Sequence, residues 1–150
     1  MTSIKKEVGH IVGLFYSTST GRESVSALHL DRKGVLEDKF YNKNRERSVL
    51  LASLESYTLA KSHGIDAPHS TLGENLLMDY NPYALHQGDT LHIGEVVLEI
   101  SQHCTLCKSL SKIDSQLPKI LKEHRGIFAK VIQAGVLKKG DTIYLVNSVK

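Results

Sequence analysis

The most compact group of reactive side chains in this sequence is His103-Cys104-Thr105-Leu106-Cys107-Lys108, which holds both of the chain's cysteines. The preceding Leu98-Glu99-Ile100-Ser101 alternates as a strand, and Thr105–Ile113 reads as a short helix, so the thiols fall at a strand-to-helix junction. A helix start exposes unpaired N–H groups and a partial positive charge, which favour thiolate over thiol, and Lys108 adds to that field. Four readings fit the pair. Structural zinc takes four ligands, and no second cysteine pair supplies them. A redox dithiol has this local context, but the rest of the chain lacks the alternating strand and helix order that usually frames one. Two small buried residues need no chemistry at all. A thiolate ligand for a redox metal cofactor is the fourth, and spacing alone does not choose among them.

Positioning that group requires a scaffold, and the scaffold reads as mostly strands. Val8–Tyr16 and Val25–Asp31 carry β-branched, aromatic and alternating residues, with Ser17 to Glu23 as the connecting turn. Arg32–Lys39 and the polar run Tyr41–Arg47 read as a long, mobile, basic loop. Val49-Leu50-Leu51 restarts a strand, Ser53 can cap a helix through Lys61, and Gly64 stops it. Gly88-Asp89-Thr90-Leu91-His92-Ile93 and Gly140-Asp141-Thr142-Ile143-Tyr144-Leu145 each place a Gly-Asp turn before an alternating strand, with the two aspartates as turn residues. Glu95–Ser101, Ile127–Ile132 and Thr142–Val146 supply further strands, and Leu117–His124, with Pro118 near its start, a further short helix. About seven short strands and about three helices lack the rhythm of a doubly wound sheet. The expected class is mainly β (α+β), an antiparallel closed or partly open β-barrel with a few peripheral helices.

The 150 residues, 41% apolar and 23% charged, fit one globular domain spanning 1–150 and argue against disorder. No window approaches a membrane-spanning length, and the N-terminus lacks a secretory apolar core, so the expected location is cytoplasmic, with no membrane partner. Charge is uneven: residues 51–100 carry one Lys or Arg against seven Asp or Glu, whereas 101–150 carry nine against three. The cysteines therefore lie in a basic third, which attracts anionic ligands. Aromatic residues make up only 6%, without a basic stripe interleaved by them, so no nucleic-acid partner is expected. A nucleophile elbow and a phosphate-binding glycine loop are both missing from the sequence.

Taken in order, Gly73-Glu74-Asn75-Leu76, Leu85-His86-Gln87-Gly88-Asp89-Thr90-Leu91-His92-Ile93-Gly94, Leu98-Glu99-Ile100-Ser101 leading to Cys107, and Gly126-Ile127-Phe128-Ala129-Lys130-Val131 with Gly135 to Asp141 resemble a MOSC domain. This module occurs at the C-terminus of molybdenum-cofactor sulfurases, in the mitochondrial amidoxime-reducing component and in small bacterial proteins. The resemblance runs from about Val8 to Leu145 and implies a barrel of the MOSC type. It places the family's metal-binding cysteine on Cys107, because the usual Pro-Cys pair falls on Leu106-Cys107. Cys104 stands where the family often has arginine. The family's Gly-Asp-Arg-His stretch falls on Glu37-Asp38-Lys39-Phe40, and its Arg-Gly on Arg125-Gly126.

The resemblance implies molybdenum cofactor (molybdopterin) as ligand and reduction of N-hydroxylated bases as the activity, with Cys107 catalytic and holding the metal. One soft thiolate at a helix start suits that bond. Lys39, Arg45, Arg47, Lys108, Lys112 and Arg125 are candidates for neutralising the cofactor's phosphate, with Glu74 and Asn75 as further site residues. His103 is the histidine nearest the thiols. Two cysteines cannot hold a four-cysteine iron–sulfur centre, so the small-molecule substrate would be reduced with electrons from a separate reductase. The alternative is a non-catalytic carrier that passes the cofactor, or sulfur as a Cys107 persulfide, to a cofactor-maturation partner.

Overall fold

The computed structural model describes residues 5–103, 116–121 and 126–147. Eleven strands are assigned among these: β1 (Lys5–Thr18), β2 (Gly21–Val25), β3 (Ala27–Asp31), β4 (Gly34–Val35), β5 (Val49–Ser53), β6 (Leu76–Met78), β7 (Thr90–Ile93), β8 (Val96–His103), β9 (Ile127–Gln133), β10 (Gly135–Lys138) and β11 (Thr142–Val146). Helix α1 is Leu54–Ser62 and the short α2 is Leu117–Ile120. Seven strands in the order β11-β7-β8-β9-β5-β6-β1 close on themselves through the β11–β1 pairing, and β2 extends from β1. A small antiparallel sheet, β10-β3-β4, stands apart from the ring. The expected closed barrel is present.

Closure depends on β1. Its first residues pair with β11, its middle with β6 and its end with β2, and the register slips between Glu7 and Gly9 and again between Ile11 and Gly13. Each slip acts as a bulge that bends the strand, so one 14-residue segment follows the curved wall. A Cβ on Gly9 would overlap Asp79 Oδ1, which accepts the His10 N–H at 2.7 Å. A side chain at that bend would displace Asp79 from its bond to His10.

Period-two alternation sorts side chains to the two faces of the wall. Leu14, Leu51, Leu76, Leu98, Ile127 and Ala129 belong to the barrel core, together with Leu91, Ile93 and Ile143. Their neighbours Phe15, Ala52 and Leu77 face outward into a second cluster with Tyr57, Ala60, Leu72 and Leu121, under α1. Strand β5 is buried on both faces and pairs with β6 in parallel, unlike the other pairings in the ring. A parallel pair needs a crossover, and α1 with the 63–75 segment provides it and covers the outer face. The wall is thus mixed where the sequence suggested an antiparallel one.

Local signals behave as their chemistry requires. The Ser53 side chain accepts the Glu55 N–H to cap α1, and Gly64, at φ +79°, ends it. Asp89 accepts the His86 N–H and Asp141 the Lys138 N–H, each at 2.9 Å, so both aspartates close turns. The strand read over Val25–Asp31 is broken at Ser26, and its first residue belongs to β2. The turn placed at Ser17–Glu23 is tighter, with Ser17 and Thr18 still in β1 and Gly21 already in β2. The loop read as mobile is knit into the fold: Tyr41 Oη donates to Asp31 at 2.5 Å, Asn42 N to Lys33 O at 2.9 Å and Lys39 N to Ser17 O at 2.8 Å. Helix Thr105–Ile113 lies outside the described residues, as does the end of the expected Leu117–His124 helix.

Candidate functional site

A cleft of about 380 Å³ opens outside the barrel wall, between the β1–β2 hairpin, the 38–48 loop, the 72–75 turn and β9. That volume falls in the ~300–1,000 Å³ range of small-molecule sites. Register sets its wall: Leu50 on β5 lies opposite Phe128 on β9, and both reach the cleft while their neighbours Leu51 and Ile127 fill the barrel.

Asn75 forms the floor. Its Oδ1 accepts the Leu50 N–H at 3.0 Å, and its Nδ2 donates to Phe15 O at 3.1 Å and to Asp38 Oδ1 at 3.4 Å. Its backbone bonds to Leu50 O and Phe15 N as well. One buried side chain therefore joins β1, β5 and the loop. Asp38 completes the junction, accepting the Ser17 N–H at 2.7 Å and the Phe40 N–H at 2.9 Å. A carboxylate this well supplied with donors is an anchor for the loop, which meets the wall here.

Three cations stand around that floor: Arg22, Lys43 and Arg47. Arg22 sits opposite Ser17 in the β1–β2 hairpin, which puts both side chains on one side. Its Nη1 donates to Ser17 Oγ at 2.5 Å, its Nε to Ser70 Oγ at 2.8 Å, and its Nη2 to Glu74 O. Burial lowers its pKa, and the neighbouring Glu74 and Asp38 oppose that shift. A guanidinium remains charged in proteins, so the cleft has a fixed positive wall. Arg47 closes the 3₁₀ turn Arg45–Arg47, begun by Asn44 as N-cap, and its guanidinium lies 4.6 Å from the Phe128 ring centroid. Cation and ring brace each other.

Glu74 and Asn75 are neighbours that point to different places. The Glu74 carboxylate is fully buried, accepting from Tyr57 Oη at 2.8 and 2.7 Å and from Ser70 N at 3.0 Å. It reaches the cleft only through its backbone oxygen on Arg22. Burial first, then the Glu74 charge, pushes the Tyr57 pKa well above the ordinary tyrosine value, so the phenol stays a donor. Lys39 is exposed, with Nζ 5.2 Å from the Phe40 ring centroid, and does not line the cleft. Arg45 turns away, donating to Arg32 O and Val131 O, each at 3.3 Å.

Of the expected site residues, the cleft brings together Asp38, Arg47 and Asn75, with Glu74 behind them. Cys104, Cys107, Lys108, Lys112 and Arg125 lie outside the described residues, and of His103 only the backbone is described, opposite Ile127 at the end of β8. Among the described residues, no group of three or more His, Cys, Asp and Glu is arranged to hold a metal ion. Sequence reasoning missed Arg22, Lys43, Asn44 and Phe128. Arg22 lay within a segment read as turn, and only its register against Ser17 reveals its place.

Solved structures share this fold. YuaD protein from Bacillus subtilis superposes with a TM-score of 0.84 at 17% identity, covering 99% of this chain and 100% of that one. YiiM from Escherichia coli gives 0.69 at 21% identity over 94% of this chain and 71% of that one. YiiM from Geobacillus stearothermophilus gives 0.66 at 17% over 96% and 76%. No curated protein matches the chain significantly by sequence. Residues 29–144, which include the 38–48 loop, Asn75 and Phe128, match the model of the MOSC domain, and the chain belongs to that family.

Proposed function

We propose that this protein holds molybdenum cofactor in the cleft, with Cys107 as the metal's thiolate ligand, and reduces N-hydroxylated substrates with electrons from a separate reductase. The observation that carries this reading is the cleft itself: Arg22, Lys43 and Arg47 surround a hydrogen-bonded floor with an aromatic wall, in a volume suited to a small-molecule ligand. That donor set fits an anionic, planar group. Arg47 would meet its phosphate, since a guanidinium offers paired N–H donors. Arg22, already bonded to Ser17, Ser70 and Glu74, would add fixed positive charge beside it, and Phe128 would flank the ring system. Asn75 and Asp38 hold the loop in place around it.

The family resemblance favours Cys107 as the remaining partner, and chain length permits it. It follows His103 by four residues, which limits its Cα to within ~14 Å of the end of β8. His103 pairs with Ile127, the neighbour of cleft residue Phe128. The bound cofactor would supply two-electron oxygen-atom chemistry. The chain's own residues bind it, keep the positive wall fixed and shape the space left for substrate.

The test is purification from a host that makes the cofactor, with molybdenum and pterin measured on wild type, Cys104→Ala and Cys107→Ala. Cofactor in wild type and Cys104→Ala, and its loss from Cys107→Ala, is the expected result. Wild type free of both molybdenum and pterin overturns the reading. Cofactor that is retained yet gives no hydroxylamine reduction with an artificial donor, and passes to an acceptor apoenzyme, makes the protein a carrier.

A further inference from the structure

We propose that the exposed cationic loop from Arg32 to Arg47, carrying Leu36 and Phe40, is the docking surface for an acidic electron-donor protein. This rests on the reading that substrate reduction draws electrons from outside. Converting an N-hydroxyl group to N–H breaks the N–O bond, consumes two electrons and two protons and releases water. A one-electron donor must therefore dock twice per turnover, and the chain needs a face for it.

Residues 32–47 carry six Lys or Arg against three carboxylates. The carboxylates are not equally open: Asp38 is buried in the loop junction, Glu46 is paired with Lys130 at 3.3 Å, and Glu37 alone is exposed without such an ion pair among the described residues, against six cations. Arg32, Lys33, Lys39, Lys43, Arg45 and Arg47 are all exposed. Among them stand two large apolar side chains in water, Leu36 at 47% and Phe40 at 56% exposure. A folded chain loses apolar burial by leaving such residues out, and together with a predominantly cationic loop they have the composition of a contact patch with a charged rim. Electron-transfer encounters need little area, under ~1,200 Å², so one loop and its surroundings are the scale of surface to expect. Positive charge selects an acidic partner and speeds its encounter.

Position supports the same assignment. Phe40, Lys43 and Arg47 belong both to this exposed loop and to the cleft wall, so a protein seated here is held beside the site that consumes its electrons. The loop has its own hydrogen bonds to β1 and β3, through Lys39 N to Ser17 O and Leu36 N to His29 O at 3.1 Å. The docking face is therefore built into the fold before any partner arrives.

The experiment uses a strongly acidic [2Fe–2S] ferredoxin as probe and reads its affinity for the full chain, with and without bound cofactor. Wild type should bind the ferredoxin and lose about tenfold in affinity as salt rises from about 0.02 M to about 0.3 M. Arg32→Glu/Lys33→Glu should lose about tenfold at low salt, and Leu36→Ser about threefold. Lys6→Glu, at the opposite end of β1 where that strand pairs with β11 and not with β2, should bind as wild type. In loaded protein, the Arg32→Glu/Lys33→Glu variant should keep viologen-driven turnover and lose ferredoxin-driven turnover in step with affinity. Undiminished ferredoxin binding by that variant, or an equal loss in Lys6→Glu, overturns the proposal. So does absence of ferredoxin binding together with loop-dependent binding to phosphatidylglycerol vesicles, which would make the face a lipid contact. Binding that follows the loop charges in a protein that never retains cofactor would leave the docking face standing and overturn the cofactor reading instead.

Discussion

The side-chain amide of Asn75 stands 3.4 Å from the carboxylate of Asp38 while its carbonyl accepts the Leu50 N–H at 3.0 Å. Barrel wall and cleft loop meet at this one amide. Asn75→Ala should remove three side-chain bonds and leave the buried Leu50 N–H, the Phe15 carbonyl and one Asp38 oxygen short of partners. The expected cost is about 2–4 kcal/mol in chemical denaturation, with backbone amides of residues 38–48 exchanging faster.

Tyr57 and Glu74 should give the protein an alkaline limit. The folded-state pKa of Tyr57 is raised, first by burial and then by the Glu74 charge, above the unfolded value of about 10. Above that unfolded value, an unfolded chain loses the phenol proton while the native state keeps it, so stability is full below pH ~10 and falls as pH rises beyond it. Tyr57→Phe should lower stability at neutral pH, because Glu74 and the Leu72 N–H lose a partner, and should flatten the alkaline decline. A Tyr57→Phe profile as steep as wild type would assign the decline to other groups.

Gly126 meets β5 backbone to backbone. Its φ is +108°, and a Cβ there would stand 2.8 Å from Leu51 O. Gly126→Ala combines a strained backbone with an overlap that no side-chain rotation relieves, and should cost about 2–4 kcal/mol. Because Gly126 precedes the strand that carries Phe128, ligand retention should fall in the folded fraction too.

Arg22→Ala should reduce pterin retention about 10- to 100-fold, as expected for loss of a positive charge in the cleft wall together with the charge-assisted bonds, ~1.5–3 kcal/mol, that hold that wall in place. Arg22→Lys should fail to restore it. An ammonium group cannot reproduce a planar fork that meets Ser17 Oγ, Ser70 Oγ and Glu74 O together. Retention by Arg22→Lys equal to wild type would mean that charge alone is required.

Much of the barrel was legible because its signals are local. Alternation marked β7, β8, β9 and β11, Ser53 and Gly64 bounded α1, and the Gly-Asp pairs announced turns that Asp89 and Asp141 do close. The parallel β5–β6 pair was not legible, because a continuous apolar run such as Val49–Ala52 shows burial on both faces without showing which strand lies alongside. Within the cleft, Asn75 and Arg47 stood out by motif and charge. Arg22 and Phe128 did not, since an arginine after a turn and a phenylalanine in a strand look ordinary until register places them.

By itself the sequence determined the strand-rich class, the family resemblance, the turn chemistry and the uneven charge, because each depends on residue type and short-range spacing. Tertiary structure decided which groups share a cleft. Glu74 and Asn75 are adjacent in the chain, yet their side chains find different partners as the chain bends into β6, so Asn75 floors the cleft while Glu74 turns to Tyr57. Arg22, Arg47 and Phe128 are far apart in sequence, and only the lateral run of neighbouring strands β9-β5-β6-β1-β2 brings their strands and loop around one space.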